Sequence, residues 1–260
     1  METASTFNDD LYVMRENLKS LRTAFLTLFI GSFLSLFPFI DIVGSVIIFI
    51  GAILLIIGLG RVGDSKMVNA RYYGSTRNWL ILNVVASIAV AVTLYYFLYA
   101  LIISPVLSST IVRSAPPSIS TSAFNEFFMV AGASFVVIIA IYIVSYMKLA
   151  GTLKLLSTEL SVPKLESAST YLRISIILSV LTGVIALASI YFSLHNALIS
   201  SSGGRFISTG NHVSFLLGFL AYTFLVALVA FIFELVAFHS AYSGIDEFFV
   251  AADHRMRQRD

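Results

Sequence analysis

Residues 42–60 read IVGSVIIFIGAILLIIGLG, an apolar run without a charge between Asp41 and Arg61. Crossing about 30 Å of hydrocarbon takes roughly 20 apolar residues in a helix. A backbone cut off from water must satisfy its own hydrogen bonds, so the run is a helix. A β-barrel strand would alternate apolar and polar residues, and this stretch does not. The fold class follows from this segment: an all-α integral membrane protein.

The runs on either side extend the pattern. Residues 23–40 form an apolar stretch joined to the first through Pro38 and Asp41. One helix through both would overshoot the bilayer, and Pro38 breaks it, so the pair forms a hairpin. Further runs lie at 79–103, 124–147, 174–194 and 213–238. The expectation is six spans arranged as three hairpins in one membrane domain covering 1–260. The composition agrees: 58% of the 260 residues are hydrophobic and 12% charged. A soluble chain carries about 25% charged residues, so this one lacks the polar residues to cover itself in water. With no cysteine, thiolate metal sites, disulfides and Cys nucleophiles are excluded. A net charge of +2, with no basic stripe, gives no reason to expect nucleic acid as a partner.

Six spans put both termini on one side, and the basic residues say which. Arg15, Lys19 and Arg22 precede the first span. Arg61, Lys66, Arg71 and Arg77 lie between the second and third, and Lys148, Lys154, Lys164 and Arg173 between the fourth and fifth. Arg255, Arg257 and Arg259 follow the sixth. Of the 16 Lys and Arg residues only Arg113 and Arg205 fall in the opposite loops. Basic loops stay cytoplasmic, so both ends are expected inside a cell membrane. Acidic residues such as Asp9 and Asp10 precede the first run, which is therefore expected to be a retained anchor, not a cleaved signal. Tyr95, Tyr96, Tyr99 and Tyr191 fall at the outer boundary and Trp79, Tyr146 and Tyr242 at the inner one, as amphipathic rings do. The outer loops 104–123 and 195–212 are rich in Ser, Gly and Pro and favour turns.

Two inner segments, 9–22 and 148–172, have amphipathic spacing. Leu11, Met14, Leu18 and Leu21 form one stripe, and Leu149, Leu153, Leu156 and Leu160 another, with a stop at Val162-Pro163. Basic amphipathic helices attached to spans are expected to lie flat on the inner leaflet, with a cytoplasmic partner as the alternative.

Small residues mark the packing faces. Gly44, Gly51 and Gly58 recur every seven residues in the second run. Thr27, Gly31 and Ser35 line the first run, and Ser175, Ser179 and Gly183 the fifth. Such ladders let helices approach closely in lipid, either within the chain or between copies. The odd spans each begin just after an arginine (Arg22, Arg77, Arg173), which suggests a diverged two-helix repeat.

Ionisable groups within spans mark candidate sites. Glu234 is the one carboxylate well inside a run, about one turn from the inner end, and Asn83 has a similar depth. Glu234 is expected to pair with Arg22, Arg77 or Arg173, or with a Ser or Thr on a neighbouring span. A structural pin and a proton or cation site are both open readings. His195 and His212 flank an outer loop, but no His/Glu spacing forms a metal-ligand set. Gly58-Leu59-Gly60-Arg61-Val62-Gly63 has the outline of a dinucleotide loop, yet it ends a membrane helix where that loop would follow a strand. No catalytic residue, metal or cofactor is expected.

Gly44-Ser45-Val46 through Gly58-Leu59-Gly60, Tyr146-Met147-Lys148-Leu149-Ala150 through Leu160-Ser161-Val162, Tyr171-Leu172-Arg173 and Ala237-Phe238-His239-Ser240 together span about two-thirds of the chain. In these stretches it resembles a family of uncharacterised multi-pass membrane proteins found largely in archaea, and departs from them in longer, Ser-rich outer loops. The resemblance implies an archaeal cell membrane and nothing about function, since that family has none assigned. The expected function is that of a structural or accessory subunit, partnered by lipid and by itself or other membrane subunits. A small transporter or channel is the alternative.

Overall fold

The structure, a computed structural model, describes residues 2–37, 39–65, 68–99, 121–202 and 210–257. They form six helices: α1 (Glu2–Ser35), α2 (Asp41–Gly63), α3 (Ala70–Leu98), α4 (Thr121–Leu160), α5 (Pro163–Ser202) and α6 (Gly210–Arg257). Among the described residues there is no strand. Most of the outer loop 104–123, and 203–209 of the other, lie outside the described residues. The stretch 195–202, expected as loop, continues α5, since no glycine interrupts it before Gly203.

Stretches long and apolar enough to cross a membrane occur in five helices: Asp41–Gly63, Ala70–Thr93, Gly132–Leu160, Pro163–Ala186 and Ala221–Arg255. α1 is not among them. Its apolar part within the helix, 23–35, rises only about 20 Å at 1.5 Å per residue, and α1 ends at Ser35. The residue before a proline is pushed out of the α region, so the helix stops short of Pro38.

The chain divides into two units, one comprising Met1–Thr76 with Tyr146–Asp260 and the other Arg77–Ser145. The core of the first unit is concentrated along α1, the C-terminal parts of α4 and α6 and the N-terminal part of α5. Met14, Leu18, Leu21, Phe25, Leu28 and Ser32 of α1 alternate at spacings of four and three, and each is at most 3% exposed. Leu149, Leu153 and Leu156 of α4, Leu165, Ala168 and Leu172 of α5, and Ala237, Phe238, Ala241, Ile245 and Ala252 of α6 are likewise buried. Each such leucine contributes about 1.5–3 kcal/mol by leaving water.

The sequence leads to the expectation of flat interfacial helices at 9–22 and 148–172. Both segments continue the long helices without a break except at Ser161-Val162. The stripe residues whose burial is described face other helices, where a lipid surface was expected. Amphipathic spacing says that a stripe is covered, and here protein covers it.

The α4–α5 joint is compact. Ser161 takes a left-handed backbone with φ 57°, and Val162 N–H donates to Ser157 O at 3.0 Å. That is the six-to-one bond of a Schellman cap. The Ser157 hydroxyl donates to Val162 O at 2.9 Å, and Pro163 opens α5 where a missing N–H costs nothing. Two contacts then fix the start of α3 to α4. The Tyr73 hydroxyl donates to Glu159 Oε2 at 2.8 Å, and Thr76 and Thr152 share a buried hydrogen bond of 2.8 Å.

In the second unit Ser145 donates to Trp79 O at 2.8 Å. Many of its large apolar residues are exposed, including Ile81, Val85, Ile88 and Val92 on α3 and Val136 and Val137 on α4.

Candidate functional site

α1 carries two seams, and the residues singled out from sequence divide between them. The first faces α2. A Cβ placed on Gly44 would lie 2.6 Å from Ser35 N. On Gly51 it would lie 3.0 Å from Leu28 N, and on Gly58 3.0 Å from Leu21 N and Cα. Each step of seven along α2 is matched by a step of seven back along α1, so two antiparallel helices touch backbone to backbone through three glycines. Gly31 completes the approach from the other side, where a Cβ would lie 2.7 Å from Ile48 N. Ser35 donates to Ser32 O at 2.8 Å and Thr27 to Thr23 O at 2.8 Å, so both hydroxyls turn back onto their own helix. The glycine groove is therefore filled by α1.

The second seam faces α6. Arg15 pairs with Asp253 at 3.0 Å and Arg22 with Asp246 at 2.8 Å. Arg22 also donates to the Tyr242 hydroxyl at 3.0 Å and lies over the Tyr242 ring, 5.0 Å from its centre. The Phe249 ring sits between the two arginines, 5.8 Å from each guanidinium. One heptad further along, Phe29 meets the His239 ring at 5.4 Å. Arg15, Arg22 and Phe29 thus step by seven on α1 while Asp253, Asp246 and His239 step by seven on α6. Helices with a seven-residue repeat keep one seam facing a partner, and here the chain runs antiparallel through it. The aromatic faces add an electrostatic attraction for the cations that a carboxylate alone does not supply. The arrangement is a clamp that fixes the inner end of α6 to the start of the chain.

Glu234 stands apart from this seam. It lies in the stripe Ala230, Glu234, Ala237, Ala241, so it turns toward the interior of its unit, where it is half-buried. Among the described residues it makes no hydrogen bond or ion pair. The expected pairing with Arg22 does not form, because Arg22 takes Asp246. The reason is axial: Glu234 lies twelve residues, about 18 Å, along α6 from Asp246, beyond the level where His239 meets Phe29. Arg77 and Arg173 are half-buried, each with a buried Nε that has no partner, and Arg173 makes no ion pair among the described residues. Asn83 is half-buried on α3. Ser175 is 1% exposed with its hydroxyl unpartnered, and Ser179 and Gly183 are half-buried. The side chains of His195 and His212 lie outside those described.

Asp246, Asp253 and Phe249 drew no notice in the sequence, and Tyr242 reads there only as a boundary ring. The available signal was the heptad: Arg15 and Arg22 on one helix, and Asp246 and Asp253 on another, share one spacing and opposite signs. No family model, curated protein or solved structure matches the chain.

Proposed function

We propose that the protein is a non-enzymatic structural or accessory subunit of a membrane assembly, crossing a cell membrane six times as three hairpins with both ends in the cytoplasm. One observation carries this reading: only 11–28% of each apolar membrane-length segment is buried within the protein. The chain packs tightly at its inner end and leaves the faces of its spans to lipid or to other helices. The sixth crossing is the run 23–40, whose part within α1 is held against α2 by the glycine seam. The resemblance to archaeal multi-pass proteins supports an archaeal cell membrane as its location.

Purification in mild detergent tests the assembly. Further copies or other subunits are expected to co-elute in fixed stoichiometry, and a monodisperse monomer would overturn it. The absence of cysteine makes the topology directly testable. An impermeant maleimide on intact cells is expected to label Ser118→Cys and to leave Ser161→Cys unlabelled until the membrane is opened.

One observation favours transport as a second reading, namely the inward-turned and unpartnered Glu234 carboxylate. Under that reading proteoliposomes show a cation or proton flux that Glu234→Gln abolishes. Under the assembly reading no such flux exists.

A further inference from the structure

The three arginines that open the odd spans share one pattern. From Arg77, positions four, eight, eleven and fifteen residues on are Ile81, Val85, Ile88 and Val92, exposed by 41%, 57%, 51% and 64%. From Arg173, positions four, eight and eleven on are Ile177, Leu181 and Val184, exposed by 66%, 46% and 54%. From Arg22 they are Leu26, which is half-buried, then the exposed Ile30 and Phe33, after which α1 ends. These offsets return to one side of a helix, so each arginine heads an apolar stripe at the level where the chain leaves the membrane.

The three differ in their counter-charge. Arg22 has Asp246 at 2.8 Å. Among the described residues Arg77 and Arg173 have no acidic partner and no hydrogen bond; α3 contains no Asp or Glu at all. Nε is a buried atom without a partner in all three, as in Arg15, but at Arg77 and Arg173 the two terminal nitrogens are neither hydrogen-bonded nor among the buried unpartnered atoms. The stem therefore lies along the protein and the fork reaches its surface, as a snorkelling arginine does. A guanidinium matches a phosphate with two parallel charge-assisted hydrogen bonds, and phosphates fill the headgroup layer at this depth.

We infer that Arg77 and Arg173 each hold the phosphodiester of an anionic phospholipid of the inner leaflet, with a hydrocarbon chain along the stripe that each heads. Arg22 occupies the same position but is neutralised within the protein. The inference adds a ligand to the membrane reading and rests on its inward orientation. A protein missing from the membrane fraction would break that reading first, before any lipid is measured.

Native mass spectrometry of delipidated, detergent-purified protein, titrated with phosphatidylglycerol or phosphatidylcholine, provides the test. Two retained phosphatidylglycerol molecules are expected, in preference to phosphatidylcholine. Arg77→Gln and Arg173→Gln should each lose one, with affinity at that site about fivefold weaker. Arg77→Lys and Arg173→Lys, which keep the charge, should retain both with looser binding and cover the case in which a Gln variant does not fold. Arg22→Gln should retain both while unfolding at lower temperature. Equal retention of the two lipids, or undiminished retention in the Gln variants, would overturn the inference. Displacement by millimolar inorganic phosphate would also overturn it, by showing a site for a free anion.

Discussion

The two seams of α1 repeat on the same seven-residue period and use opposite means. Against α2 the recurring feature is a missing side chain, at Gly44, Gly51 and Gly58. Against α6 it is a charge, at Arg15 and Arg22, met by Asp253 and Asp246. The two seams lie on different faces of α1 and overlap along it between Leu21 and Phe29. In hydrocarbon no hydrophobic effect drives helices together, so close approach and dispersion hold them. At the inner end the Asp253 and Asp246 side chains remain 40% and 48% exposed, and ion pairs there keep part of their hydration. A single helix thus presents a steric face to α2 and an electrostatic face to α6.

Filling the glycine seam is the strongest way to break this comparison. Gly44→Val and Gly51→Leu put new atoms against backbone, at Ser35 N and Leu28 N, which cannot move aside as a side-chain tip can. Each is expected to cost about 3 kcal/mol or more, read from unfolding in mixed micelles. Gly74→Ala is the control, since nothing lies within 4 Å of a Cβ there. It should leave stability unchanged or raise it by up to about 1 kcal/mol through helix propensity. A tolerated Gly51→Leu would mean that α1 and α2 are not in backbone contact.

The α6 seam should respond in two steps. Phe249 is 9% exposed and lies between both arginines. Phe249→Ala removes volume and ring together and is expected to cost about 3 kcal/mol. Phe249→Leu keeps most of the volume and should cost only about 1 kcal/mol, the share of the cation–ring attraction. If the two substitutions cost the same, the ring face contributes nothing and the seam is held by packing alone.

How much of this was legible in the sequence depends on whether a signal was local. The apolar runs and the Gly44, Gly51, Gly58 spacing lie within single segments, so the membrane helices and the groove could be read directly. The partner filling that groove could not, since the same glycines serve a hairpin or a homo-oligomer equally well. Nor could the inner core: Leu18 and Leu153 have the spacing of a covered face, and spacing is silent on whether lipid or protein covers it. Asp246 was passed over for Glu234 because depth in the membrane drew attention to Glu234. The register of α6 against α1, which decides which carboxylate meets Arg22, appears only when the two helices are set side by side.

The smallest expected effect separates the seams most cleanly. A double-mutant cycle of Arg22→Met and Asp246→Asn isolates their coupling from the packing that each side chain also provides. Both partners are more than a third exposed, at 37% and 48%, so the coupling is expected at about 0.5–1 kcal/mol. It should shrink in 1 M salt, where screening acts over about 3 Å. The penalty of Gly51→Leu, which is steric, should not change with salt. A salt-insensitive Arg22–Asp246 coupling would mean that the carboxylate acts by packing against Tyr242 and Phe249, and the electrostatic half of the comparison would fall.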